Sequence, residues 1–106
     1  MKVRETSKMT KVYIPNRGAG HDYSKASEIG DLIYVTEGLV SPFNTGWMVR
    51  KWDDALSSSE PGDYIVMTSL LSLCSIGASM FAYKHGTLNL LIFTRDGEYE
   101  RREIIL

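Results

Sequence analysis

The chain has one cysteine, Cys74, in 106 residues, so no internal disulfide can form. Two histidines, His21 and His85, beside a single thiol make a poor zinc set. Excess positive charge is also missing. Twelve basic residues stand against 13 acidic ones, a formal net charge of -1. That balance speaks against a chain that coats DNA or an anionic membrane. No apolar run is long enough to span a bilayer, and no basic-then-apolar leader opens the sequence. Gly-x-Ser-x-Gly, His-Glu-x-x-His and Gly-Lys-Ser/Thr are all absent. The expectation is a cytoplasmic protein without metal or cofactor, with no nucleic-acid polymer or membrane as partner, and leaning away from enzyme.

What is present is regular punctuation. Residues 1–10 carry Lys2, Arg4 and Lys8 without an apolar period and read as a loose basic arm. Met9 is a second candidate start. From Lys11 to Leu106 one α/β domain is expected. Val12-Tyr13-Ile14 reads as a strand ended by Pro15-Asn16. His21-Asp22-Tyr23-Ser24 opens a short helix to Ile29, capped by Asp22 or Ser24 and stopped by Gly30. A strand follows at Leu32–Thr36, then a helix at Trp47–Ser57 with Asn44 or Thr45 as cap. Tyr64–Thr68 is a third strand. Thr68 or Ser69 caps a third helix, Leu70–Lys84, and Gly86 suits its left-handed end. Leu88–Phe93 and Tyr99–Ile105 form a hairpin around Asp96-Gly97, the last strand charged enough for a solvated edge.

The order β-α-β-α-β-α-β-β predicts a small three-layer α/β domain with a mainly parallel sheet and a C-terminal antiparallel hairpin. In such sheets ligands bind beyond the carboxyl ends of the strands, where helix amino ends collect anions. The segments after the strands therefore supply the candidate site: Asn16, Arg17, Gly18, Gly20, His21, Asp22, Tyr23 and Ser24 after the first, Thr36 and Glu37 after the second, Thr68 and Ser69 after the third. Amides and Arg17 suit a phosphate; Tyr23 or Phe43 suits a flat base. The plain alternatives are that Asp22, Ser24, Thr68 and Ser69 only cap helices and that Gly18 and Gly20 only turn the chain.

The third helix is apolar almost all the way round, interrupted by Ser72, Ser75 and Ser79. A homo-oligomer through Leu70–Lys84 is expected, with Gly77 and the serines permitting close approach; the competing cover is the chain's own second helix with the loop around Phe43. Cys74 falls among these residues as a core thiol.

Five strings carry a resemblance: Tyr13-Ile14-Pro15-Asn16-Arg17-Gly18, His21-Asp22-Tyr23-Ser24-Lys25-Ala26, Val35-Thr36-Glu37-Gly38, Pro61-Gly62-Asp63-Tyr64-Ile65-Val66-Met67 and Lys84 through Phe93. Over residues 11–93 the chain resembles small phage-encoded proteins. It is similar in style and size to phage anti-defence sponges, which bind the cyclic nucleotide signals of CBASS or Thoeris immunity. That resemblance implies a non-catalytic homo-oligomer that sequesters a nucleotide, and it assigns no residue to a contact. Two other readings stay open: a small hydrolase or transferase acting on a phosphorylated nucleotide, with His21 and Glu37 as acid and base, and an adaptor binding a host protein through a Trp47–Trp52 face.

Overall fold

The computed structural model describes residues 10–18 and 21–106. The expected basic arm, the alternative start at Met9 and the candidate Gly20 lie outside the described residues. Five strands form one sheet in the order β2-β1-β3-β4-β5. They are β1 (Lys11–Arg17), β2 (Asp31–Glu37), β3 (Tyr64–Val66), β4 (Thr87–Phe93) and β5 (Tyr99–Ile105). The first four run parallel, and β5 returns antiparallel on β4. Two helices, α1 (Thr45–Ala55) and α2 (Leu71–His85), complete the α/β architecture.

The two sheet faces are covered unequally. Tyr13, Ile65 and Val35 face α1 and α2, packed with Met48, Trp52, Leu73 and Phe81. Val12, Ile14, Tyr64, Val66 and Leu91 face the other way, against Tyr23 and Ala26. Strand order explains this. From β1 the chain steps one way to β2, then back across β1 to β3 and on to β4. Crossovers of constant hand then put the first connection on one face and the next two on the other.

The first connection is thinner than expected. In place of a helix from His21 to Ile29 there is one 3-10 turn, Ala26–Glu28. Ser24 N–H donates to Asp22 Oδ1 at 2.9 Å, so Asp22 holds a local turn instead of capping a helix. The strand expected to stop at Pro15 runs on to Arg17. Pro15 has no register partner on β2 or β3, so its missing N–H breaks no rung.

Trp52 is fully buried, and its indole N–H donates to the Leu73 carbonyl at 2.9 Å. A Cβ on Gly77 would lie 2.2 Å from the same indole. The small residue of α2 thus admits the chain's own α1, the competing cover named above. The burial also corrects the adaptor reading: a Trp47–Trp52 docking face cannot exist with Trp52 in the core. Cys74 is a buried thiol, pushed up in pKa by burial. Gly86 ends α2 in the left-handed region with φ 72°, its N–H donating to Ala82 O. No helix among the described residues is long and apolar enough to cross a membrane.

At the amino end of the sheet the Pro61-Gly62-Asp63 string is a clamp. The buried Asp63 carboxylate accepts from the backbone N–H of Lys11 at 3.0 Å and of Glu60 at 2.8 Å. Asn89 Nδ2 donates to the carbonyls of Pro61 and Asp63. These residues carry part of the resemblance, yet they lie at the opposite end of the sheet from the candidate site.

Candidate functional site at the carboxyl rim

Parallel pairing of β1 with β2 and β3 opens the segments after all three strands on one edge of the molecule. Asn16 is in register with Thr36, and Arg17 with Glu37. Strand order reverses between β1 and β3, which makes their carboxyl ends the switch point where open α/β sheets hold ligands.

The candidate side chains divide by what already occupies them. Thr36 is buried and its hydroxyl donates to the Pro15 carbonyl at 2.8 Å. Asn16 Nδ2 donates to the Gly38 carbonyl at 3.0 Å, tying the ends of β1 and β2 together. Tyr23 is buried, and its hydroxyl lies 3.1 Å from Thr68 Oγ1. A base therefore cannot stack on Tyr23 as expected, because the ring already fills the second core. Phe43, the other stacking candidate, is exposed.

The expected cap of α2 is also different. Leu70 occupies the cap position and no side chain caps the helix, since Thr68 faces Tyr23. Leucine is a poor cap, and among the described residues no side chain accepts from the first amides of this 15-residue helix. Arg17 reaches outward. Its guanidinium sits 4.6 Å from the Tyr34 ring centroid and 4.0 Å from Glu37 Oε2, with both charged side chains more than half exposed. An exposed pair at that distance is weak, so an incoming anion can replace the carboxylate. Gly18 follows β1 directly, Ser24 is exposed, and Ser69 is half-buried between β3 and α2.

His21 lies elsewhere. Its ring is 4.8 Å from Phe93 and 4.3 Å from Tyr23, and Nε2 is 3.1 Å from the Tyr99 hydroxyl. Phe93 belongs to β4, whereas Glu37 ends β2. Three inter-strand spacings, about 14 Å, separate those strands. The structure therefore does not bring His21 and Glu37 together as an acid–base pair.

Residues 10–105 match the family described as Phage Pam3 gp32-like protein. The chain belongs to that family. No curated protein and no solved structure matches it significantly. The family spans both the carboxyl rim and the Asp63 clamp. Among the described residues no group of three or more His, Cys, Asp or Glu is placed to hold a metal ion.

Sequence reading missed the aromatic row beneath the rim of this phage-family protein. Tyr34, Tyr23, His21, Phe93 and Tyr99 follow one another across the sheet, each ring packed on the next. The signal was present. Tyr34 shares one strand face with Leu32, and the Asp96-Gly97 hairpin sets Phe93 opposite Tyr99. Burial, with Tyr23 and Asp22 nearby, pushes the Tyr99 phenol up to about 12. Its folded pKa exceeds the unfolded value, so its contribution to stability is complete below about pH 10 and is lost as pH rises through 12. An absorbance titration at alkaline pH is expected to show a tyrosinate step near 12 that Tyr99→Phe removes, leaving the still later step of the buried Tyr13 in place. A Tyr99→Phe titration with the step near 12 intact would contradict the packing.

Proposed function

We propose that this phage-family protein binds a small nucleotide at the carboxyl rim and holds it without converting it. The observation that carries the reading is the switch point between β1 and β3, flanked by exposed Arg17 and by an α2 amino end that no side chain caps. Phosphate would meet Arg17, the amides that open α2, and Ser69. The partners of this reading are a cyclic nucleotide signal and a second copy of the chain. Its place of action is the host cytoplasm, where a held signal cannot reach an immune effector. Separation of His21 from Glu37 favours a binder over the hydrolase or transferase reading.

The test is isothermal titration with cyclic dinucleotides and cyclic ADP-ribose isomers. At least one is expected to bind. Arg17→Ala should then weaken it by about 10-fold or more, the loss of one charge-assisted contact of about 1.5–3 kcal/mol. Glu37→Gln, which frees Arg17, should leave affinity equal or higher. Chromatography of the recovered ligand should return it intact. No heat with any of these nucleotides would end the reading.

A further inference from the structure

Leu71, Ser75, Ser79 and Tyr83 recur every four residues along α2, and all four are exposed. No charged residue occurs between Leu70 and Tyr83. A solvated helix face of this length ordinarily carries charge. Both ends of the stripe are apolar but differ in shape. At the amino end, Leu71 (85% exposed) stands beside the loop that carries Leu39 (105%) and Phe43 (88%). Ser72 Oγ anchors that loop by donating to the Pro42 carbonyl at 3.0 Å. At the carboxyl end, α1 and α2 flank an open cavity of about 690 Å³ lined by Leu56, Met80, Tyr83, Ser79, Asp53 and Lys84. One end is a knob and the other is a hole.

We propose that two copies of the chain pair across this face about a two-fold axis passing between Ser75 and Ser79, with their α2 helices antiparallel. Such an axis sets Ser75 against the partner's Ser79 and Leu71 against the partner's Tyr83. It also carries the Leu71–Phe43 knob of each copy, roughly 18 Å along the helix, to the partner's cavity. The two serines at the crossing let the helices approach closely. The cavity wall holds one acid and one base, Asp53 and Lys84, so the occupant it suits is apolar and uncharged, as the knob is. The area is adequate. Phe43 and Tyr83 each offer about 150–250 Å². With Leu39, Leu71 and the serine seam, each copy buries roughly 700 Å², near the ~800 Å² per partner of a stable interface. The pairing does not rest on the nucleotide reading.

Sedimentation equilibrium of the full chain without ligand tests it. The expected species has twice the 11.9 kDa chain mass. Ser75→Glu with Ser79→Glu places four carboxylates at the crossing and should weaken association at least about 100-fold. Ser75→Lys with Ser79→Glu places opposite charges across the same contact and should restore the dimer. Circular dichroism checks that both variants fold, which exposed positions permit. A monomeric wild type, or a dimer that survives the double glutamate, would overturn the proposal. Neither result touches nucleotide binding, which titration reads separately.

Discussion

Gly77→Ala is expected to lower the melting temperature by roughly 15 °C, a loss of about 3 kcal/mol for a domain of this size. The added Cβ would stand 2.2 Å from two carbons of the Trp52 indole. An indole ring cannot bend away, and this one is fully buried with its N–H held by the Leu73 carbonyl. The strain must therefore be relieved by moving α1 away from α2, which unpacks Met48, Leu73 and Phe81 together. Thermal denaturation of Gly77→Ala, Trp52→Phe and the double variant measures the coupling. The smaller ring should absorb part of the clash, so the double variant should be more stable than the sum of the single losses predicts. A Gly77→Ala protein melting within a few degrees of wild type would show that the helix contact is looser than described.

Asp63→Ala should cost about 3–5 kcal/mol in urea unfolding, a large share of the ~5–15 kcal/mol that holds a domain together. The carboxylate accepts two backbone N–H groups, from Lys11 at the start of β1 and from Glu60 before β3. Alanine leaves both donors without an acceptor at the place where the central strands enter the sheet. Asp63→Asn should be milder, because one carbonyl oxygen remains to accept while the amide opposes the other N–H. A second readout separates this role from simple packing. The Tyr13 hydroxyl is buried without a hydrogen-bond partner among the described residues. Burial, and after it the facing Asp63 charge, push its pKa far above the usual phenol range. In Asp63→Asn the highest tyrosinate step should therefore move down, though not back to the ordinary value, since burial is the larger cause. An unchanged alkaline titration would place Asp63 too far away to act on Tyr13.

Much of the fold was legible because it is written locally. Apolar runs between glycine and proline marked the strands, and the alternation of strand and helix implied parallel pairing. Gly86 and Asp96-Gly97 fall where the left-handed end of α2 and the hairpin turn occur. Charge placed β5 at the edge. Three of the local readings that failed did so because contacts or register across the sheet, not neighbours in sequence, decided the outcome. Thr68 was read as a cap but faces Tyr23. Pro15 was read as a strand end, yet its strand continues because no rung needs its N–H. Tyr23 was read as a stacking surface, but the second core takes its ring.

The candidate site divides in the same way. Which residues follow the strands is fixed by residue order, and with parallel strands that order brings Asn16, Arg17, Glu37 and Ser69 to one edge. Which of them stay open depends on contacts made by residues twenty or more positions away, such as Thr36 with Pro15 and Asn16 with Gly38. The sequence by itself determined the alternation, the turns and the edge, because those depend on backbone preference and the period of apolar side chains. Only the tertiary structure decided that Trp52 fills the notch at Gly77, that His21 and Glu37 stand apart, and that an uncharged stripe remains on α2. Each of these depends on the distance between elements, and no residue's own propensity encodes that distance.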